Sequence, residues 1–281
     1  MINGDKMSYI IIIPTYNGEK QGIEDLLISI KNQNMPPEKI CIIDSSSTDS
    51  TVDICKKYGC DITIINKKDF NHGLTRQQAL DNNKNYDYAI FMTQDIKLID
   101  ENTCATLLSS FEIDDVSAAY GRQLVNNNSS FIEKISRHFN YGETSILKSK
   151  EDIVKYGLST AFCSDSFAAY KIADMLSIGG FPKTDFAEDM LIVAKLILQG
   201  KKVYYNAEAK VYHSHPYSLR AEFERGKSIG KMHKENKWLI DAFGKAEKKG
   251  QELLKTLTPF KKILYIFQAL PKYIGYKISK L

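Results

Sequence analysis

The sequence predicts an α/β fold with a mostly parallel central sheet flanked by helices. Four short strand-like runs occur within the first 92 residues, at 9–13, 39–43, 61–65 and 88–92. Segments with helical spacing fill the intervals between them. Strands that alternate with helices of about 10 to 15 residues are typical of βαβ units, which place their strands parallel. The content of 43% apolar and 26% charged residues fits an ordinary folded domain.

Each element of the first half has its own signal. Residues 9–13, a tyrosine followed by four isoleucines, are typical of a parallel strand buried on both faces. Residues 24–30 have helical spacing. Ser47-Thr48-Asp49 supplies N-cap chemistry for a helix that runs through Tyr58. A further helix is predicted over residues 74–82.

The second half of the chain is less regular. Helically spaced apolar residues at 190–198, followed by Gly200, predict a helix with a glycine stop. The predicted elements are a strand at 117–124, a loop at 126–130, an irregular stretch at 140–160, this helix, and short strands at 202–205 and 209–213.

A charged, helical pattern begins near residue 219, so we expect an α/β domain over 1–216 and a helical C-terminal extension over 217–281. Residues 259–281 contain five lysines and no acidic side chain, interleaved with apolar and aromatic residues. This pattern predicts a segment that lies in the headgroup region of an anionic membrane. The alternative is a helix packed on the α/β domain or on a second subunit.

Charge and cysteine content bear on partners and compartment. The net charge of +4 is too small to argue for a nucleic-acid partner. No run approaches the roughly 20 apolar residues of a membrane span, and the first apolar run is too short for a signal peptide. Five cysteines without a CxxC pair are expected to be reduced thiols. We therefore expect a cytoplasmic protein, at the inner face of the cytoplasmic membrane if the tail binds lipid.

Polar residues follow the first two predicted strands. Pro14-Thr15-Tyr16-Asn17 ends the first and Asp44 ends the second, at the sheet edge where open α/β folds bind ligands. Backbone groups and the Thr15 hydroxyl could face a nucleotide, and Asp44 could accept a hydrogen bond from a pyrimidine N–H. The alternatives are a plain strand-to-helix turn and a turn-forming aspartate. Asp49 is assigned to helix capping.

Arg76 lies in a polar turn, 71–76, that opens a predicted helix. Helix N-termini favour anions and arginine adds a forked donor, so contact with phosphate or base is expected. The alternative is a solvated side chain in a first helical turn. His72 is a secondary candidate.

Thr93-Gln94-Asp95 follows the fourth predicted strand. Asp95 is proposed as a ligand of Mg²⁺ or Mn²⁺, which would neutralise a departing diphosphate. Gln94 adds no second charge, so further ligands are needed. His213 and His215, at i and i+2 of a strand, would point to one face and suit Mn²⁺. The alternative is that they are ordinary surface or core histidines.

Glu188-Asp189 opens the helix at 190–198. One carboxylate could take a proton from an acceptor hydroxyl. Since adjacent residues cannot both point into a cleft, Asp189 is predicted to be the base and Glu188 its support. The alternative is purely structural, because acids in a first helical turn stabilise the helix dipole by about 0.3–1 kcal/mol.

At these residues the chain resembles family 2 glycosyltransferases, which have the GT-A fold and transfer a sugar from a nucleoside diphosphate with inversion. The resemblance implies that Thr15 and Asp44 contact the nucleotide, that Asp95 binds the metal, and that Asp189 acts on the acceptor hydroxyl. Gln94 departs from the pair of acids that many members carry. The matching segments are Ile12-Ile13-Pro14-Thr15-Tyr16-Asn17, Ile42-Ile43-Asp44-Ser45-Ser46-Ser47-Thr48-Asp49, Arg76, Thr93-Gln94-Asp95 and Ala187-Glu188-Asp189.

A narrower resemblance, to bacterial rhamnosyltransferases, rests on the segments 43–49, 70–73, 93–95 and 211–215. It implies dTDP-L-rhamnose as donor and a hydroxyl of a growing surface glycan, lipid-linked or free, as acceptor. Two alternatives stay open. One is a non-catalytic glycan-assembly subunit that keeps the fold. The other is a nucleotidyltransferase, which would normally carry a glycine-rich basic loop after the first strand, where this chain has a single glycine.

Overall fold

A nine-stranded mixed β-sheet forms the centre of the fold in the computed structural model, which describes residues 7–126, 129, 131–214, 218–244, 254–255 and 257–280. The strands are β1 (Tyr9–Thr15), β2 (Lys39–Asp44), β3 (Asp61–Ile64), β4 (Tyr88–Met92), β5 (Ile96–Leu98), β6 (Val116–Leu124), β7 (Ile146–Lys148), β8 (Phe167–Lys171) and β9 (Lys202–His213). Their order is β3-β2-β1-β4-β8-β6-β9-β5, with β7 also paired to β9.

The first half of the sheet is parallel, as the sequence predicts. β1 pairs in parallel with both β2 and β4, and β2 pairs in parallel with β3. The isoleucines of β1 are fully buried and alternate between two apolar clusters, one on each face of the sheet. Each face is therefore covered. The connecting helices are α1 (Ile23–Lys31), α2 (Thr51–Lys57) and α3 (His72–Asp81).

The second half of the sheet is mixed, which refines the expected mostly parallel sheet. β8 runs antiparallel between β4 and β6. Because Met92 at the end of β4 pairs with Phe167 at the start of β8, the residues before β8 come to the ligand edge of the sheet. The sequence analysis did not predict β8, a strand of five residues.

The stretches predicted as strands at 202–205 and 209–213 are both in β conformation, but they form one continuous strand, β9, and not two. Its pairing with β6 shifts register between Gly121 and Arg122, whose partners are Asn206 and Lys210. The extra residues of β9 form a bulge there. A bulge lets one strand continue while its partners change, and β9 pairs with β7 near its start and with β5 near its end.

The remaining helices of the α/β region have four to six residues, except for α5 with ten and α8 with eleven. The stretch expected to be irregular, 140–160, contains β7 and a short helix, and α8 begins at Glu188, so both predicted acids lie in its first turn. These helices are α4 (Thr103–Leu108), α5 (Phe131–Asn140), α6 (Ile153–Tyr156), α7 (Ile172–Ser177) and α8 (Glu188–Leu198).

The C-terminal region is helical, as expected. It contains α9 (Leu219–Glu235), α10 (Lys237–Phe243) and α11 (Pro259–Lys280). Side chains of α9 and α10 belong to the same apolar cluster as α8. The division at residue 216 stays a prediction, since 215–217 lie outside the described residues, as does His215. None of the described helices combines the length and apolar composition needed to cross a bilayer.

α11 packs along α9 through glycines. A Cβ at Gly226 would lie 2.0 Å from the Lys272 carbonyl oxygen, and one at Gly275 would lie 2.2 Å from the Phe223 carbonyl oxygen. Only a residue without a Cβ permits such backbone approach. One face of α11 therefore packs on α9, within the C-terminal extension; packing of the tail on the α/β domain or on a second subunit stays a prediction.

The start of α3 touches the loop before α8 at Gly73, where a Cβ would lie 1.8 Å from the Pro182 carbonyl oxygen. The Gly73 amide also donates to the Thr184 carbonyl, at 3.0 Å. We expect Gly73→Ala to lower the free energy of unfolding by about 1–3 kcal/mol through overpacking, measured by denaturant unfolding. Gly142→Ala is the matched control, because no atom lies within 4 Å of a Cβ there. Equal stabilities for the two variants would contradict this packing.

Candidate active site

A cavity of about 410 Å³ opens at the sheet edge where β1, β2 and β4 end. This volume lies in the usual range for small-molecule sites, about 300–1,000 Å³. Seven of the predicted site residues line it, namely Pro14, Thr15, Tyr16, Arg76, Gln94, Asp95 and His213. His72, the secondary candidate, also lines it, as do Gln21, Lys67 and Ser166, which the sequence analysis did not single out.

Asp44 lies behind the cavity wall. Its side chain is fully buried and accepts hydrogen bonds from the Thr15 hydroxyl at 2.8 Å, the Ser47 hydroxyl at 2.6 Å and the Ser47 amide at 2.7 Å. These bonds join the end of β1 to the turn after β2. Asp44 is absent from the cavity lining, and its contact with a nucleotide stays a prediction.

Asn17 also holds the turn after β2. Its amide donates to the Ser47 hydroxyl at 2.9 Å, and its side-chain oxygen accepts from the Thr48 amide at 2.9 Å. Its φ of 46° lies in the left-handed region, which asparagine tolerates better than most residues. Asp49 accepts from the amide of Thr51, the first residue of α2, at 3.1 Å, although the residue at the N-cap position is Ser50.

Gln94 fixes the main chain of Tyr16. The Gln94 side-chain oxygen accepts from the Tyr16 amide at 2.9 Å, and its side-chain nitrogen donates to the Tyr16 carbonyl at 3.0 Å. Lys67 in turn donates to the Tyr16 hydroxyl at 2.7 Å, with its ammonium 4.1 Å from the ring centroid. This amide pairing holds the cavity wall in place, and Lys67 adds a positive charge at the cavity.

Asp95 and His213 meet across the cavity floor. The His213 Nε2 lies 3.6 Å from the Asp95 Oδ2. The register of β5 and β9 sets Ile96 opposite His213. Because Asp95 directly precedes Ile96, this register brings Asp95 close to His213. The His213 Nδ1 lies 2.8 Å from the Gln123 Oε1. A proton on Nδ1 donates to that oxygen and leaves the Nε2 lone pair toward Asp95, whereas a proton on Nε2 lets Nδ1 accept from the Arg137 Nη2, 3.3 Å away.

This pair fits a divalent cation held jointly with a substrate diphosphate. One carboxylate and one imidazole suit Mn²⁺, and such cations often take only one or two protein ligands beside phosphate oxygens. Among the described residues, no group of three or more His, Cys, Asp and Glu side chains could hold a metal. His215, the third predicted ligand, lies outside those residues.

Arg76 is buried between two carboxylates. Its Nε lies 3.0 Å from the Asp165 Oδ2 and its Nη1 lies 3.0 Å from the Glu188 Oε1. The Arg76 side chain is only 4% exposed, so the predicted alternative of a solvated arginine is wrong. Contact with phosphate or base stays a prediction, because these contacts go to protein carboxylates.

Glu188 and Asp189 follow a residue in the left-handed region, Ala187, with φ 60°. Glu188 is buried against Arg76, whereas Asp189 is only partly buried. The Asp189 Oδ1 accepts from the Met190 amide at 2.7 Å and its Oδ2 accepts from the Asp165 amide at 3.2 Å. Burial raises the pKa of Asp189 well above its ordinary value, and the negative charges of Glu188 and Asp165 raise it further. A raised pKa suits a general base.

His72 borders the same cluster. Its Nδ1 lies 3.8 Å from the Glu188 Oε1, and its ring meets Phe70 edge-on at 4.9 Å. Burial lowers the pKa of His72, against the opposing effect of Glu188. The neutral form is therefore favoured near neutral pH.

Asp165 was missed by the sequence analysis. It is 2% exposed, and its Oδ1 accepts from the Tyr170 hydroxyl at 2.6 Å. Burial raises the pKa of Asp165 to about 7, although Arg76 acts to lower it. The available signal was the polar Ser164-Asp165-Ser166 just before the short apolar strand β8.

Two curated relatives match nearly the whole chain. The O-antigen chain rhamnosyltransferase WbaN of Salmonella anatum is 38% identical over 282 residues, which cover 97% of this chain and 89% of the relative. The O-antigen chain rhamnosyltransferase RfbN of Salmonella typhimurium is 39% identical over 284 residues, with coverages of 98% and 90%.

Solved structures share the fold at low identity. The mannosyltransferase PcManGT from Pyrobaculum calidifontis, in complex with GDP-Man and Mn²⁺, superposes with a TM-score of 0.65 at 16% identity, covering 97% of this chain and 82% of that one. Staphylococcus aureus TarS 1-349, in complex with UDP-GlcNAc, has a TM-score of 0.58 at 16% identity, with coverages of 98% and 90%. The mixed sheet with flanking helices thus matches the expected GT-A type.

The family model described as Glycosyl transferase family 2 matches residues 10–175, the part of the chain that contains β1 to β8 and most of the cavity lining. Since the match covers more than half of the 281 residues, and since both relatives align with nearly all of this chain at 38–39% identity, the chain belongs to glycosyl transferase family 2.

Proposed function

We propose that the protein transfers L-rhamnose from dTDP-L-rhamnose to a hydroxyl of a bacterial surface glycan, with inversion at the sugar's C1. The observation that carries the proposal is the Asp95–His213 pair in the cavity, together with the Asp189 carboxylate, which accepts from the amide of Asp165, the residue before the cavity-lining Ser166. The names of the two curated relatives, both O-antigen chain rhamnosyltransferases, support the sugar and the acceptor class.

The reaction is a single displacement. The acceptor hydroxyl oxygen forms a bond to C1 while the bond from C1 to the diphosphate oxygen breaks. The hydroxyl proton passes to the carboxylate of Asp189, and dTDP leaves with the electron pair of the broken bond. The raised pKa of Asp189 makes its carboxylate a stronger proton acceptor than an ordinary aspartate.

The donor is held by the predicted nucleotide residues. Thr15 contacts the nucleotide, and the buried Asp44 holds the Thr15 hydroxyl in place. The chain at Pro14 and Tyr16 forms the cavity wall, fixed at Tyr16 by Gln94, and Asn17 supports it from the turn after β2. Arg76 faces the diphosphate side of the cavity. Asp95 and His213 would hold Mn²⁺ or Mg²⁺, which when bound neutralises charge on the leaving diphosphate.

The base role predicts that Asp189→Asn lowers kcat by about 10² to 10⁴, measured as dTDP released from dTDP-L-rhamnose in the presence of acceptor. Binding of dTDP, followed by calorimetry, should stay unchanged because Asp189 does not line the donor cavity. Near wild-type turnover would refute the role. If the wild-type protein binds dTDP but releases none from any donor, the non-catalytic alternative holds instead.

The donor prediction is tested by thermal shift with dTDP, UDP and GDP, each with and without Mn²⁺. We expect selective stabilisation by dTDP, of about 2.7 kcal/mol at 100 times the dissociation constant. Selective stabilisation by GDP would exclude rhamnose transfer.

The same assay tests the metal ligands. Asp95→Asn and His213→Gln should each lose the Mn²⁺-dependent part of the shift, since each removes one of two protein ligands. His138→Gln, a change at an exposed histidine, is the matched control. An unchanged Mn²⁺ effect in both site variants would rule out this metal site.

We also propose that α11 contacts an anionic membrane with the face turned away from α9, which would bring the cavity to a lipid-linked acceptor. That face exposes large apolar side chains, with Phe260 at 73% exposure, and Lys261 and Lys277 flank it. Apolar burial combined with lysine–lipid attraction is typical of interfacial helices. The exposed apolar residues are Phe260, Ile263, Ile266, Phe267, Leu270, Tyr273, Ile274 and Ile278.

Liposome flotation of the full chain tests this contact. With anionic vesicles, replacing Phe260, Ile263 and Phe267 by Ser should abolish flotation, because these residues supply apolar area without touching the glycine contacts with α9. The matched control replaces three exposed apolar residues elsewhere, Ile64, Leu147 and Val154, by Ser. Equal flotation of the two variants, or no flotation of the wild type, would remove the membrane contact.

A further inference from the structure

Three carboxylates surround one guanidinium beside the cavity. Asp165 and Glu188 each lie 3.0 Å from Arg76, and the Asp189 carboxylate is bonded to the Asp165 amide at 3.2 Å. If all three were ionised, the cluster would carry two negative charges in excess. Like charges at close range make each carboxylate harder to ionise, so the basicity of any member depends on the other two.

Asp165 connects the two parts of this cluster. Its amide donates to the Asp189 Oδ2 and so orients that carboxylate. Asp165 directly precedes Ser166, which lines the cavity. Its own carboxylate is fixed by the Tyr170 hydroxyl at 2.6 Å and by Arg76. A side chain held on two sides has a defined position, so its charge acts on Asp189 from a fixed place.

We infer that Asp165 is a positioning residue for Asp189: its amide orients the base, and its carboxylate, shared with Arg76, strengthens the affinity of the base for a proton. The inference rests on the proposed function, since it assumes that Asp189 takes the acceptor proton. It assigns no contact between Asp165 and substrate.

Several other charged and titratable groups lie near Asp189. Glu188 adds to its proton affinity from the same helix, and Arg76 opposes both acids. The His72 Nδ1 lies 3.8 Å from the Glu188 carboxylate. The hydroxyls of Tyr141 and Tyr170 and the thiol of Cys163 interact electrostatically with Asp189, and burial raises the pKa of each, so they stay neutral.

The test is the pH dependence of kcat/KM in Asp165→Asn. An asparagine keeps the shape and both contacts, because the Tyr170 hydroxyl can accept from the new amide nitrogen and donate to the Cys163 sulfur 3.4 Å away. Asp189 works in its ionised form, so the rate falls as pH drops below its pKa. Removing a neighbouring negative charge lowers that pKa. We expect the acidic limb to move to lower pH by about 1 unit, with KM for the donor unchanged.

A second variant covers the case in which Asp165→Asn fails to fold. Tyr170→Phe is nearly isosteric and removes one hydrogen bond to the ionised Asp165, which favours protonation of Asp165. The acidic limb should move in the same direction by a smaller amount. Asp174→Asn, at a carboxylate paired with Lys201 outside the site, is the matched control and should leave the profile unchanged.

The outcomes separate this inference from the proposed function. If Asp189→Asn is inactive while the folded Asp165→Asn and Tyr170→Phe variants keep the wild-type acidic limb, the positioning role of Asp165 is wrong and the base role stands. If Asp189→Asn keeps wild-type turnover, the base role fails, and with it the premise of the inference. A shift in Asp174→Asn as large as in Asp165→Asn would also overturn it.

Discussion

The burial of the Arg76 guanidinium is the constraint on which the site depends. Leaving a buried charge without its partner costs about 3–5 kcal/mol, so the fold must supply carboxylates at fixed positions. It does so from two distant parts of the chain, Asp165 before β8 and Glu188 at the start of α8. These ion pairs hold α3, the entry to β8 and α8 in one arrangement. The base and the cavity wall are built on that arrangement.

The raised pKa values in this cluster also make the stability of the folded protein depend on pH. The ordinary pKa of the Asp165 carboxyl is 3.8, and burial raises it to about 7 in the folded chain. The folded state therefore binds more protons than the unfolded state between these values, and its stability falls as pH rises from about 4 to about 7. Asp189 contributes in the same direction, since its pKa is also raised. A site that accepts protons well is thus less stable at neutral pH than one with ordinary carboxylates.

The sequence predicted those features that have local signals. The isoleucines of β1 and the polar residues at the ends of β1 and β4 identified the parallel half of the sheet and five residues of the cavity lining, and the polar turn that opens α3 and the end of β9 identified Arg76 and His213. It could not predict that Arg76 pairs with Asp165, because that contact joins residues 89 positions apart through the antiparallel insertion of β8. From the sequence we also predicted two strands where the structure has one, β9, because the bulge interrupts the pattern of apolar residues although the strand continues.

The register between β5 and β9 restricts how this chain can change in length. Asp95 directly precedes Ile96, which pairs with His213, and successive residues of a strand point to opposite faces. Gain or loss of one residue between the bulge and His213 would turn the imidazole to the other side of the sheet, away from Asp95. A change of length within residues 210–213 would therefore separate these two side chains, because strand length itself specifies their pairing.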